Sequence, residues 1–365
     1  MKIVTILGAR PQFIKASILS KLFKSKKGFK EIIIHTGQHY DFAMSDIFFH
    51  ELKIPKPHYN LGVKSNQHGE MTGIMLIKIE KLLLKIKPDF TIVYGDTNST
   101  LAGALAARKL NIPVIHIEAG LRSFNKQMPE EINRILTDHS STYLFAPSKI
   151  AKNHLSNENI DNKRVFEVGD TMLDVYLANK RLIISLSKKL KKSIGGKYIF
   201  VTLHRAENTN FKKKLINILE NLKRLSNNFK VIFPIHPRTE KILKNLGLYN
   251  NYKKSIFFIK PLGYIKTLAM LKNATLLITD SGGMQKEAFY CNIPCLTVRE
   301  ETEWPETIKF GLNKLVSPKK NFIYQNAIKY VNLIKNKKKI LNVYGFGNAS
   351  RLILNQIEKL KKNFL

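Results

Sequence analysis

Two cysteines in 365 residues leave no room for a disulfide framework. They are Cys291 and Cys295, and a lone C-x3-C spacing is not a metal-ligand pattern, so both read as core thiols in a reducing compartment. Acidic residues are also scarce, 27 against 61 Lys and Arg, for a net charge of +34. A basic tail or an aromatic-interleaved basic motif, which nucleic-acid binding would need, is missing. The lysines fall in short clusters on helical stretches, such as Lys188-Lys189 and Lys337-Lys338-Lys339. They read as a solvated outer face, and no nucleic-acid partner is expected. No apolar run approaches the roughly 20 residues of a membrane span, and MKIVTILGAR enters a strand-like run without a cleavage site after it. No membrane partner and a cytoplasmic location are therefore expected. The G-x-G-x-x-G fingerprint is absent, since the first turn reads GARPQF, which speaks against a nicotinamide cofactor. No close His/Asp/Cys set recurs on one element and there is no nucleophile elbow. We expect neither a metal nor another cofactor.

What remains is a regular alternation of short apolar runs and helical patterns. KIVTILG is followed by the helical QFIKASILSKLF, EIIIHTG (31–37) by an amphipathic stretch over 68–86, and then TIVYG, PVIHIEAG, YLFAP (143–147) and RVFEVGD (164–170) appear in turn. This grammar predicts a parallel, doubly wound α/β sheet. Near Gly169 it restarts. MLDVYLANKRLIISLSKKL reads as one long helix, and YIFVTLHR, KVIFPIHPR, SIFFIKPLG, TLLITDSGG and PCLTV read as strands of a second α/β unit. We therefore expect two domains, 1–169 and 170–347, and an amphipathic tail helix over 348–365 able to dock on either. Gly345-x-Gly347 reads as a turn before that helix.

In such sheets, ligands meet the loops after strand C-termini. Asp96 and Glu118 each end an apolar strand, and Glu130-Glu131 opens a helix. Carboxylates at such edges suit proton transfer, because neighbours and desolvation move their pKa values. Glu131 reads better as an acid answering its helix dipole. Arg10 sits in the first strand–helix turn, with Lys15 about a helical turn later, a place suited to phosphate. Ser281-Gly282-Gly283 joins a strand to a helix carrying Glu287, and its backbone can approach a diphosphate while Glu287 reaches a ribose diol. His204-Arg205 and His236-Pro-Arg238 each end a strand, and paired histidines at a sheet edge favour anion binding.

Ordered blocks along nearly the whole chain resemble the non-hydrolysing UDP-N-acetylglucosamine 2-epimerases. They are GARPQFIK (8–15), HTGQHYD (35–41), YGDTNSTLAG (94–103), HIEAGLRS (116–123), PEEINR (129–134), HRAEN (204–208), HP (236–237), TDSGGMQKEA (279–288) and EETEWPE (300–306). The resemblance implies two Rossmann-like domains in the GT-B arrangement, an active site in the cleft between them, and a tail helix that returns to the first domain. It also implies a homodimer and loss and re-addition of UDP through a 2-acetamidoglucal. Carried over residue by residue, Asp96, Glu118 and Glu130 form the acid/base set, and His204 and Arg10 stabilise the diphosphate. Lys15, Arg134 and His236 line the site, and Ser281, Gly282 and Glu287 hold phosphates and ribose. Gln12, Lys286 and Trp304 depart from the common pattern, where Glu, an acid and Arg are frequent. GARPQFIKAS looks like the branch acting on UDP-2,3-diacetamido-2,3-dideoxyglucuronate. A hydrolysing relative and a GT-B glycosyltransferase are the alternatives. The three first-domain acids weigh against the transferase, which needs no proton shuttle at C2.

Overall fold

The structure is a computed structural model that describes residues 1–38, 51–52, 54–65, 67–333 and 342–362. His39, Tyr40 and Asp41 of the HTGQHYD block, and the Lys337–Lys339 cluster, lie outside the described residues. The chain divides into two units, Met1–Ala178 with Asn342–Leu365, and Asn179–Leu341.

In the first unit, β1 (Lys2–Leu7), α1 (Arg10–Ser25), β2 (Lys30–His35), β3 (Tyr59–Asn60), α2 (His68–Ile86) and β4 (Phe90–Tyr94) lead to α3 (Asn98–Lys109). Then follow β5 (Val114–Ile117), α4 (Pro129–Ser140), β6 (Tyr143–Ala146), α5 (Lys149–Asn157), β7 (Val165–Glu167) and α6 (Thr171–Ala178). The strands pair in parallel in the order β3-β2-β1-β4-β5-β6-β7. Val4, Ile6, Ile34 and Val93 on one face pack with Met75, Ile79 and Leu83 of α2 and the small residues Ala102, Ala104 and Ala106 of α3, all at or near zero exposure. The alanine-rich α3 lets its backbone lie close to the sheet. Continuous Val/Ile runs are what strands covered on both faces require.

The second unit runs α7 (Lys180–Ile194), β8 (Tyr198–Thr202), α8 (Ala206–Thr209), α9 (Lys212–Leu225), β9 (Lys230–Pro234), α10 (Pro237–Asn245), α11 (Tyr249–Lys253) and β10 (Ile256–Ile259). It continues with α12 (Tyr264–Asn273), β11 (Leu276–Thr279), α13 (Gly282–Cys291), β12 (Cys295–Thr297), α14 (Pro305–Lys309), β13 (Asn313–Leu315) and α15 (Phe322–Leu333). Its parallel order, β10-β9-β8-β11-β12-β13, is the same 3-2-1-4-5-6 winding as the first six strands of unit one. The two-domain α/β reading thus holds. In both units the strand order reverses beside the first strand, between β1 and β4 and between β8 and β11, the place where doubly wound sheets bind ligands.

Three expectations need correction. The run MLDVYLANKRLIISLSKKL is two helices, broken at Asn179, whose φ of −103° and ψ of 4° leave the helical region. The first unit therefore extends through Ala178 rather than ending at 169. Its returning segment starts at Asn342 rather than 348, because the turn before the tail is bonded to the first unit, with Asp170 N–H donating to the Tyr344 carbonyl at 2.9 Å. The tail helix α16 (Ala349–Lys362) packs on α1 and α6. Asp174 of α6 caps it, accepting from Ala349 N–H at 3.0 Å and Ser350 N–H at 2.6 Å. Edge strands β3 and β13, of two and three residues, had no periodic signal to reveal them. Both cysteines are buried and neither is in a disulfide. Among the described residues no helix is long and apolar enough to cross a membrane.

Candidate active site

The first unit gathers its charged residues at the ends of β4 and β5. Gly95, with φ +65°, turns the chain out of β4, and a Cβ there would sit 3.3 Å from Lys15 Nζ and 3.5 Å from Glu118 Oε1. That turn presents Asp96, whose Oδ2 accepts from Arg134 Nη2 at 2.5 Å and whose carbonyl accepts from Asn133 Nδ2 at 3.0 Å. Glu118 follows β5 in a left-handed conformation, φ +72°, uncommon for a residue with a side chain and typical of functional sites. Its Oε1 is ion-paired with Lys15 Nζ.

Asp96 retains 27% of its side-chain surface but is crowded by protein, and burial lifts its carboxyl above the ordinary range. Arg134 and then Lys15 oppose that shift, while Glu130 and Glu118 reinforce it. The same influences show that Asp96, Glu118, Glu130, Lys15 and Arg134 share one small volume. A carboxyl raised by burial beside two cations and two further acids is the kind of arrangement that suits a group exchanging protons.

Two supports were not legible as site residues. Gln12 is buried, its Oε1 accepting from the N–H groups of Gly8 (2.8 Å) and Ala9 (2.9 Å). Its Nε2 donates to the Tyr94 carbonyl (2.8 Å) and Thr100 Oγ1 (2.9 Å). Glu could not make the two donations, so the amide at this position locks the Arg10 turn to the end of β4. The second support is His116, fully buried inside β5. Its Nδ1 lies 2.7 Å from Asp138 Oδ1 and its Nε2 2.7 Å from the Gly95 carbonyl. Each ring nitrogen thus has an oxygen partner, which fixes the orientation of the ring. Asp138 also accepts from Gly120 N–H at 3.1 Å and Arg122 Nη1 at 2.7 Å, and Arg122 grips Glu158 in a two-pronged pair at 2.6 and 2.7 Å. Burial works against ionised Asp138, but His116 and Arg122 outweigh it and hold the carboxyl below its usual range. This network fixes both the Gly95–Asp96 and Glu118–Gly120 turns.

A sequence signal for it existed. Glu131, Arg134 and Asp138 recur at i, i+3 and i+7 on α4 and are all buried, while Ile132 and Leu136 are 46% and 47% exposed. The helix is inverted, with charge inside. Glu131 shares Arg134 with Asp96, its Oε2 lying 3.2 Å from Arg134 Nη1. Its carboxylate accepts from Ser123 N–H (2.9 Å), Ser123 hydroxyl (2.8 Å) and Phe124 N–H (2.8 Å), a structural role in line with the sequence reading.

In the second unit the same edge is built for a different task. Asp280, fully buried after β11, accepts from the N–H groups of His204 (3.2 Å) and Arg205 (3.0 Å) and from Asn208 Nδ2 (3.1 Å). Burial raises its carboxyl, but His204, Asn208 and the Arg205 N–H together outweigh it, so it lies below the ordinary range. His204 Nδ1 stands 3.3 Å from Asp280, its ring half exposed, and its centroid is 6.2 Å from that of His236. His236 caps α10 by accepting from Arg238 N–H at 3.2 Å. Ser281 is the N-cap of α13, and Gly282 opens the helix where any Cβ would lie 2.1 Å from Glu303 Oε1. Glu287 is buried one turn further on. Ser281, Gly282, His204 and His236 are thus brought to the β8/β11 edge, as a helix N-terminus suited to anions. Arg10 lies at the corresponding edge of the first unit, exposed at the start of α1. Among the described residues no group of three His, Cys, Asp or Glu is placed to hold a metal.

Comparison with known proteins is consistent over the whole chain. The sequence profile of the UDP-N-acetylglucosamine 2-epimerase family matches residues 21–358. A UDP-N-acetylglucosamine 2-epimerase homolog of Methanococcus maripaludis is 51% identical over 335 residues, 90% of this chain and 92% of its own. The UDP-2,3-diacetamido-2,3-dideoxy-D-glucuronate 2-epimerase of Pseudomonas aeruginosa is 47% identical over 367 residues, covering 99% of this chain and 100% of its own. The crystal structure of the Methanocaldococcus jannaschii UDP-GlcNAc 2-epimerase, in complex with UDP-GlcNAc and UDP, aligns with a TM-score of 0.91 at 46% identity, over 98% of this chain and 100% of that one. The chain belongs to the UDP-N-acetylglucosamine 2-epimerase family.

Proposed function

We propose that this protein inverts C2 of a UDP-2-acetamido sugar without net hydrolysis, serving surface-polysaccharide precursor synthesis. The substrate is UDP-GlcNAc, giving UDP-ManNAc, or its 2,3-diacetamido-glucuronate analogue. A carboxylate of the Asp96, Glu118 and Glu130 set takes the C2 proton, the C1–O bond breaks, and its electron pair leaves with UDP. The 2-acetamidoglucal that remains takes a proton at C2 on the opposite face, and the UDP oxygen re-adds at C1. Arg10 and His204 stabilise the departing diphosphate, Lys15, Arg134 and His236 line the site, and Ser281, Gly282 and Glu287 hold phosphate and ribose. The observation that carries this reading is the convergence of Asp96, Glu118 and Glu130 with Lys15 and Arg134 at one sheet edge, with Asp96 raised toward protonation. We further propose a cytoplasmic homodimer. The outward Ile132 and Leu136 of α4 and the 73% exposed Phe124 before it support a self-associating face.

The test is incubation in deuterium oxide with each UDP-sugar, read by NMR. We expect C2-epimerised UDP-sugar carrying deuterium at C2, with no nicotinamide or metal added. Product that keeps its C2 proton contradicts the elimination route. Free N-acetylmannosamine with released UDP supports the hydrolysing alternative instead.

A further inference from the structure

The outer strands of the second unit are apolar on both faces. On one face of β9 and β10, Val231, Phe233 and Ile256 belong to the main core, and Phe258 packs against it. Alternation along each strand turns Ile232, Phe257 and Ile259 to the opposite face. Two-sided apolar runs are what burial on both faces requires. Yet Phe257, in register with the buried Ile232, is 57% exposed on the edge strand. Beside it lies a cavity of about 460 Å³, walled by Leu190 and Ile194 at the end of α7 and by Met270 of α12. That volume falls within the range of small-molecule sites.

Seven of the ten lining residues are apolar, and the other three are Lys230, Lys260 and Lys266. All three lysines are exposed. Lys260 and Lys266 flank the passage from β10 into α12. Lys230 opens β9, roughly 16 Å away along the strands at about 3.3 Å per residue. Its Nζ donates to the Ile194 carbonyl, which ties that ammonium to the cavity wall. The slot is thus apolar along its length, with two cations together at one end. No Asp or Glu occurs in α7, β9, β10, the 260–263 loop or α12, so no lining element supplies a carboxylate to cancel the charge. The acids nearest in sequence are Glu220, Glu240 and Asp280. Glu220 and Glu240 sit on α9 and α10, helices of the opposite face, where Glu220 accepts from the Tyr252 hydroxyl at 2.6 Å and Glu240 pairs with Lys244 at 2.7 Å. Asp280 is committed to the β11 edge.

A second copy of this chain, with its own charge of +34, would be repelled from such a face. A slender anion with an apolar body is attracted to it. We propose that the cavity binds a free long-chain carboxylate. Its acyl chain lies along Ile232, Phe257 and Met270, and its head meets Lys260 and Lys266. Binding completes the burial for which the two-sided β10 run is built. The site is separate from the proposed UDP-sugar chemistry and does not rest on it.

The experiment is calorimetric titration of the whole protein with octanoate, decanoate and dodecanoate, each below its micelle concentration. Dodecylammonium serves as the probe of opposite charge, and phosphatidylglycerol vesicles as the membrane source of the same chemistry. Dodecanoate should bind saturably at one equivalent, and affinity should rise roughly fourfold per added methylene. Dodecylammonium should bind at least about tenfold more weakly. K260E/K266E should weaken dodecanoate about tenfold or more while leaving UDP binding as in wild type. If that variant does not fold, F257S at the exposed rim carries the test, with dodecanoate weakened about threefold. No saturable uptake of dodecanoate, equal uptake of dodecylammonium, or unchanged dodecanoate binding in folded K260E/K266E overturns the proposal. So does binding to vesicles without uptake of monomeric dodecanoate, which would make the face a membrane contact instead.

Discussion

The two sheet edges of this protein share one winding and treat their acids in opposite ways. At the β4/β5 edge, Asp96 keeps part of its surface, faces cations and other carboxylates at once, and is raised toward protonation. At the β8/β11 edge, Asp280 has no exposed surface, accepts from two backbone N–H groups and Asn208, and is held ionised. The difference teaches where each unit's charge is directed. In the first, a carboxyl is left in an unresolved electrostatic contest, the condition for proton exchange. In the second, the carboxyl is committed to holding the backbone that shapes a polar turn. The first unit also contains a committed acid, Asp138, but one layer back from the edge, where it holds the turns that carry Asp96 and Glu118.

The contrast can be broken most forcefully at the carboxylates proposed to react. Asp96→Asn and Glu118→Gln should each lower turnover by roughly a hundredfold to ten-thousandfold, as loss of an acid/base group does, in a steady-state assay of UDP-sugar epimerisation. Normal turnover in both would reduce these residues to structural acids. Next in size is Asp138→Asn, which leaves Arg122 and His116 facing a neutral partner in the interior. Breaking a buried pair of this kind costs about 3–5 kcal/mol, measurable by denaturant unfolding.

Stability against pH sharpens the same point through sign. Asp138 is depressed in the folded protein, so its contribution is full above the unfolded carboxyl value of about 4 and fades as pH falls through the lower folded value. The stability gap between wild type and Asp138→Asn should therefore narrow in acid. Asp96 is raised, so its ionisation opposes folding above the unfolded value. Asp96→Asn should unfold no earlier than wild type at neutral pH, and any gain should vanish in acid. Equal destabilisation by the two variants at neutral pH would remove the distinction. The smallest expected effect is Ser281→Ala, which loses one cap and the phosphate donor proposed for this position. It should weaken UDP by about tenfold with little change in unfolding, as titration calorimetry would show.

Much of this was legible in the sequence, for identifiable reasons. Strands buried on both faces are continuous Val/Ile runs, so β1, β4, β5, β8 and β11 stood out, and the residues one or two positions past their ends were recognisable as edge residues. Asp96, Glu118, His204 and Ser281 were found that way. The break at Asn179 was not legible, because the flanking apolar spacing continues through it and Asn is neither Gly nor Pro. The roles of Gln12 and His116 were hidden for another reason. Each works through a partner more than 20 residues away in sequence, Gln12 through the Tyr94 carbonyl and His116 through Asp138. Such pairing belongs to tertiary packing and leaves only a weak local trace, such as a polar residue in an apolar strand.

The central claim is that the first unit's edge does the proton chemistry and the second unit's edge holds the nucleotide. Calorimetric titration of UDP into Asp96→Asn and Asp280→Asn, with folding checked by circular dichroism, tests it most directly. The account predicts that Asp96→Asn binds UDP within about twofold of wild type or more tightly, and that folded Asp280→Asn loses about tenfold or more. The reverse pattern, with UDP lost in Asp96→Asn and kept in Asp280→Asn, would contradict it.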